Sequence, residues 1–307
     1  MTAMFPERIA QKALALAAAL MGLWHTPALA QKELLRKELV QIAGTVEGMV
    51  GVGIIHIGSR DTISINGSTR FPMQSVYKFP LALAVLHDID EGRLAPEQRI
   101  HITEDDYFPD TWSPLASKYP EANTDVGLLE ILNLTVSQSD NIGCDILFGL
   151  VGGPGKAGEY IRGLGIADIS IASTERRMHE DRLVQFQNWC TPVAMTQLLD
   201  VYFSREVLSQ NSHDLLWKFM VETTTGRHRL RGLLPEATTV AHKTGTGGRD
   251  DENVLSALND AGILILPDGS AVAITVFITK SPDEEKELEA VVAKIARSVY
   301  TYYSTGK

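Results

Sequence analysis

The sequence predicts an α/β chain of two lobes, a mainly antiparallel sheet with flanking helices and an all-helical lobe inserted into it. Three observations carry that expectation. Runs rich in β-branched residues sit near both ends of the chain, whereas the middle keeps helical apolar spacing. Strands so far apart in sequence bury their faces only by joining one sheet with helices packed on it. The length of 307 residues, 44% of them hydrophobic, gives ample material for a core.

The first thirty residues read as an address. Arg8 and Lys12 precede an unbroken apolar run from Ala13 to Trp24, and Ala28-Leu29-Ala30 has the small-x-small form of a cleavage site. The run is shorter than the roughly 20 apolar residues that a membrane-spanning helix takes. Gln31, not cysteine, follows, which argues against a lipid anchor. We therefore expect a signal peptide over 1–30, a mature chain over 31–307 exported to the periplasm, no membrane anchor after processing, and a monomer. The chain has 38 acidic and 28 basic residues, net −10; removing Glu7, Arg8 and Lys12 with the leader leaves 37 against 26. That balance argues against a nucleic-acid partner, because phosphate binding takes clustered Lys and Arg.

Along the mature chain, Lys32 to Ile42 has helical spacing. Met49–Ile57 and Thr62–Ile65 form an expected hairpin around Gly58-Ser59-Arg60-Asp61. A helix is expected from Val76 to Glu91, stopped by Gly92. Further helices are expected over Thr124–Leu134, Asn141–Val151, Pro192–Phe203 and His213–Val221. The stretch from Ala172 to Cys190 is polar and aperiodic, too long for an ordinary connection. Strands return at Thr238–His242, Leu255–Leu266 and Ala271–Thr279, the last two joined by Pro267-Asp268-Gly269-Ser270. A final helix runs from about Pro282 to Tyr303. The sheet lobe is thus expected over about 31–70 and 226–307, and the helical lobe over about 71–225. Cys144 and Cys190 could pair in an oxidising compartment or remain buried thiols; sequence leaves both open.

Three short motifs bear chemistry. Ser75-Val76-Tyr77-Lys78 opens a helix, where positions i and i+3 share a face, so the amine can sit beside the hydroxyl. A serine needs such a neighbour, because its hydroxyl is a poor nucleophile until a base takes the proton. Alone the pattern is weak, and it recurs at Ser304 and Lys307 at the chain end. Ser139-Asp140-Asn141 precedes another helix and reads by itself as an N-cap cluster, although a serine can relay a proton and an asparagine amide both donates and accepts. Lys243-Thr244-Gly245-Thr246 ends an expected strand, where glycine lets a ligand come close and lysine and threonine can hold a carboxylate.

Together, in this order and each on its expected element, the three motifs resemble the set of class A serine β-lactamases and penicillin-binding proteins. The resemblance implies the α/β fold of that superfamily. It also implies hydrolysis of the β-lactam ring of penicillins and cephalosporins through an acyl-serine, with resistance as the outcome. Ser75 would be the nucleophile, and either Lys78 or Glu175 acting through a water would take its proton; sequence leaves both open. Ser139 would relay a proton, Asn141 would hold the side-chain amide, and Lys243, Thr244, Gly245 and Thr246 would bind the substrate. A D,D-peptidase or a non-hydrolytic β-lactam sensor of the same fold is the alternative. A glutamate on an Ω-shaped loop, at about 172–190, separates the hydrolase from these. Thr174-Glu175-Arg176-Arg177-Met178-His179 is similar to the family's loop, with Glu175 at the position of the deacylating base. Met178 and His179, Gln185 to Trp189, and Met220 to Gly226 resemble the PER/VEB extended-spectrum branch. From that branch, Arg229 is the expected carboxylate anchor, with Arg231 as its rival. Trp112 would line the cleft mouth, and Asp145 and His179 would be linked positions shaping the loop for oxyimino-cephalosporins. No cofactor or metal is expected: the eight histidines form no zinc-ligand pattern, and Gly152-Gly153-Pro154-Gly155-Lys156 departs from a phosphate loop at Ala157.

Overall fold

The computed structural model describes residues 29–204 and 206–305. The proposed leader therefore lies outside the described residues, except for 29 and 30, which fall in the first helix, α1 (29–43). Among the described residues, no helix is long and apolar enough to cross a membrane.

After α1 come β1 (Met49–His56) and β2 (Asp61–Ile65), the expected hairpin, then a two-residue strand β3 (Phe71–Pro72). A 3-10 turn, Gln74–Tyr77, leads into α2 (Lys78–Asp90). The middle of the chain carries β4 (Arg99–Ile102), α3 (Pro114–Lys118), β5 (Thr124–Gly127), α4 (Leu128–Ser137), α5 (Asn141–Leu150) and α6 (Pro154–Gly163). Then follow β6 (Ile169–Ser170), α7 (Glu175–Glu180), β7 (Trp189–Cys190), α8 (Pro192–Ser204) and α9 (Gln210–Val221). The chain closes with β8 (Val240–Thr246), β9 (Leu258–Ile265), β10 (Ala271–Thr279) and α10 (Glu285–Ser304).

Five strands form one antiparallel sheet in the order β2-β1-β10-β9-β8. The first segment of the chain thus pairs with the last: Met49 lies opposite Thr279 and His56 opposite Val272. Every residue of β10 is buried, which is why the strand reads as a continuous apolar run without alternation. Its two faces serve two cores. On one, Leu35 and Leu39 of α1 join Leu288, Val291, Ile295 and Val299 of α10, whose i, i+3/i+4, i+7 spacing makes a single apolar stripe. On the other, α8 lies against β1 and β10, although its residues fall in the stretch expected to belong wholly to the helical lobe. At the centre of that lobe α2 is buried continuously from Lys78 to Leu86, so it is apolar on all sides instead of amphipathic.

Two local expectations change. The helix expected from Thr124 begins only at Leu128; the four residues before it pair with Arg99–Ile102, because Thr124 and Val126 suit a strand and Gly127 is a poor helix residue. The aperiodic stretch 172–190 is ordered in short pieces: α7, a 3-10 stretch Arg182–Gln187, and β7, which pairs with both β3 and β6. Buried Asn188 staples its legs, accepting from the backbone N–H groups of Ala172 and Ser173 at 2.7 and 3.0 Å and donating to the Ser173 carbonyl at 2.9 Å. Cys144 and Cys190 are both free and buried.

Candidate active site

The site lies where the 3-10 turn before α2, the start of α5, the N-terminus of α7 and strand β8 converge. Lys78 organises it. Its fully buried amine donates to Ser75 Oγ at 3.1 Å, to the Ser139 carbonyl at 3.0 Å and to Asn141 Oδ1 at 2.5 Å, and meets Glu175 Oε1 at 2.8 Å. A lysine buried this deeply needs such a shell, because an ammonium without partners costs several kcal/mol to remove from water.

Ser75 is held in place by strain and by close approach. Gln74, just before it, has φ +49, an uncommon conformation for a residue with a side chain, and its Nε2 donates to Gln185 Oε1 at 2.5 Å, tying the turn to the Ω loop. Asn259 of β9 donates to the carbonyls of Pro72 and Met73 at 2.8 and 3.0 Å. Strand β8 runs against the same turn. A Cβ on Gly245 would stand 2.5 Å from the Met73 carbonyl oxygen and 3.1 Å from the Ser75 nitrogen, so this strand position needs glycine for space.

In Ser139-Asp140-Asn141 the capping and chemical readings fall on different residues. Asp140 is the cap: its carboxylate accepts from Gly143 N at 2.7 Å and also from Ser113 Oγ and Leu115 N. Ser139, at φ +63, turns towards Lys243, whose amine donates to its Oγ at 3.0 Å. Asn141 donates through Nδ2 to Thr111 Oγ1 at 3.0 Å. Burial above all, then the nearby Lys78 charge, holds the Lys243 amine well below the usual lysine range. Thr244 shares a 2.5 Å hydrogen bond with Thr225, and Thr246 is exposed at the strand end.

Glu175 opens α7, with Thr174 as its N-cap. Half-buried Asp145 of α5 accepts from the backbone N–H groups of Glu175 and Arg176 at 2.7 and 2.8 Å, so the acid supports the helix start directly. His179 is exposed near the other end of α7 and packs on Phe108, ring centroids 5.6 Å apart. The expected link between Asp145 and His179 is thus not a hydrogen bond: the two stand at opposite ends of a six-residue helix, and the acid spends itself on backbone.

Trp112 is 63% exposed, with Nε1 donating to the Gln138 carbonyl at 2.8 Å; it is not a core residue. With Asn141, Glu175, His179, Gln74 and Thr246 it lines a cleft of about 520 Å³, within the usual size of a small-molecule site. Arg229, by contrast, is only 4% exposed and lies behind β8, its Nη2 donating to Thr246 Oγ1 at 2.7 Å. Arg231 donates to the carbonyls of Val221 and Val240, joining the end of α9 to the start of β8. Sequence reasoning does not mark Thr111 or Asn259, and it includes Thr225 and Asn188 only within longer matched stretches, with no role assigned; their partners lie far along the chain, and no local spacing marks them. Among the described residues, no group of three His, Cys, Asp or Glu could hold a metal.

Known proteins match this chain over most of its length. The family model described as "Beta-lactamase enzyme family" matches residues 34–303. Beta-lactamase VEB-1 of Pseudomonas aeruginosa is 44% identical over 276 residues, covering 89% of this chain and 92% of that one. The extended-spectrum beta-lactamase PER-1 of the same organism is 39% identical over 273 residues, 89% and 88% of the two chains. Among solved structures, a beta-lactamase from Chitinophaga pinensis superposes with a TM-score of 0.85 at 48% identity, covering 87% of this chain and 98% of that one. The TLA-1 extended-spectrum beta-lactamase gives 0.87 at 42% identity, covering 89% and 99%. A match this long, on chains with the same sheet and helices, leaves one conclusion: the chain belongs to the beta-lactamase enzyme family, in its class A serine group.

Proposed function

We propose that the protein is exported and hydrolyses penicillins and cephalosporins, oxyimino-cephalosporins included, through an acyl-serine intermediate on Ser75. The observation that carries this reading is the contiguous chain Ser75 Oγ–Lys78 Nζ–Glu175 Oε1, with contacts of 3.1 and 2.8 Å. In the first half-reaction Ser75 Oγ bonds to the lactam carbonyl carbon as its proton passes to Lys78 in its neutral amine form, and the ammonium so made stays beside the Glu175 carboxylate. The backbone N–H groups of Ser75 and Thr246 receive the oxyanion. The ring C–N bond then breaks, and the nitrogen takes a proton from Ser139, which is resupplied by Lys243. Lys243, Thr244 and Thr246 receive the substrate carboxylate, and Asn141 the side-chain amide.

In the second half-reaction the Glu175 carboxylate draws a proton from water, whose oxygen attacks the ester carbon; the C–O bond to Ser75 breaks as Ser75 Oγ takes back the proton held on Lys78, and Glu175 and Lys243 then exchange protons with solvent to restore the resting site. The breadth towards oxyimino substrates rests on the open cleft beside exposed Trp112 and on the likeness to relatives named as extended-spectrum enzymes.

Intact-mass measurement after mixing with benzylpenicillin or ceftazidime tests the whole scheme. The unaltered chain should turn over both drugs. Ser75→Ala should carry no adduct, and Glu175→Gln should accumulate one acyl adduct per chain with either compound, at the mass of the whole drug for benzylpenicillin and of the drug less its expelled pyridine for ceftazidime, since removing a positioned base costs roughly 10²–10⁴ in rate. Rapid turnover by the glutamine variant would remove Glu175 from its role. A stable adduct on the unaltered chain would make it a penicillin-binding protein or sensor, and failure with ceftazidime alone would narrow the spectrum.

A further inference from the structure

Arg229 has no spare donor. Its Nε donates to Glu289 Oε1 at 3.1 Å, Nη1 to the carbonyls of Gly245 and Asn259 at 3.2 and 3.1 Å, and Nη2 to Thr246 Oγ1 at 2.7 Å and Glu285 Oε1 at 3.1 Å. A guanidinium carries five N–H groups, and all five are used. Arg229 therefore does not present a bare fork to a ligand. Thr246 faces the cleft, Arg229 stands behind it, and two carboxylates of α10 stand behind Arg229.

We infer that Glu285 and Glu289 are positioning residues that set the strength of the carboxylate subsite. They hold Nη2 against Thr246 and cancel part of the guanidinium charge that a bound carboxylate would feel. The inference rests on the function proposed above, in which a β-lactam carboxylate docks at Thr246. Glu289 is the stronger element, being 17% exposed, whereas Glu285 is 54% exposed and more screened. With the charge damped, the grip on an anion comes chiefly from directed hydrogen bonds. Ring opening adds a second carboxylate to the product, and a damped field does not retain that dianion.

The test compares a cephalosporin carrying its ring carboxylate with the methyl ester of the same compound. Glu289→Gln keeps an acceptor oxygen for Arg229 Nε and removes only the charge. The ratio of kcat/KM for acid over ester should rise about threefold to tenfold at low salt. The gain should fade near ~1 M salt, where the screening length is about 3 Å. Glu285→Gln should move the ratio in the same direction by less, and serves if the first variant does not fold. A ratio unmoved by both substitutions, or a gain equal for the ester or indifferent to salt, overturns the inference. If the unaltered chain hydrolyses neither compound, the proposed function fails instead; if it hydrolyses both and the ratio stays put, only this inference does.

Discussion

Burial pushes the Asp145 carboxyl up to about 6, even though the N–H groups of Glu175 and Arg176 pull it down; the Glu175 charge adds to the rise and Lys78 opposes it. An acid whose folded value exceeds its ordinary value of 3.8 binds more protons folded than unfolded between those two pH values. Its contribution to stability is therefore greatest below about pH 4 and is lost as pH rises through about 6. Asp145→Asn cannot ionise. The difference in unfolding free energy between the two chains should thus shift by about 2–3 kcal/mol towards the asparagine chain between pH 4 and 7. Urea titrations at both pH values check this, and a constant difference would reject the assignment. At this scale the motif residues were legible because three or four neighbouring positions carry each pattern. Arg229 was legible as a residue but not in its direction, since its partners come from β8, β9 and α10. Asp145 was legible as a contact to the Ω loop, but not as a cap on backbone N–H groups.

Elements with sustained period were read to within a few residues: β10 over its full length, α5 to within one residue, and α8 likewise. What escaped were α6, whose apolar period is diluted by Gly155, Gly158 and Gly163, and pieces too short to show a period. β3, β6 and β7 have two residues each, and pairing across the chain, not local propensity, makes them strands. The Ω loop looked aperiodic for the same reason, being three short elements stapled by Asn188. Strand β8 yields the prediction at this scale. Gly245→Ala would drive a methyl into the backbone of the turn bearing Ser75, at 2.5 Å from the Met73 oxygen. Overpacking of this kind costs about 1–3 kcal/mol. Thermal melting should register that loss together with a fall in kcat/KM, as β8 and the turn separate. A variant with the parent's melting point and rate would show that the two backbones are not in contact.

The two-lobe plan was legible because composition alone separates strand-rich ends from a helix-rich middle; the placement of α8 on the sheet was not, because a buried helix looks the same under either lobe. Stopping the chain after Leu266 would remove β10 and α10 and leave β1 and β9 as edges with long apolar faces, a state prone to aggregate. Such a chain should appear in the insoluble fraction and be digested where the full chain resists; a soluble, protease-resistant product would contradict the pairing.

The register of β1 against β10 also bears on timing. Met49 must wait for Thr279, so the first strand made has no permanent neighbour on that side until the last strand exists. Loop closure over such a distance is slow, and topologies rich in distant pairings fold late. A nascent chain emerging N-terminus first can begin its helices but cannot finish its sheet. It stays extensible during synthesis, the condition in which a narrow translocation channel can thread it, and it reaches its durable form only after the final helix is released.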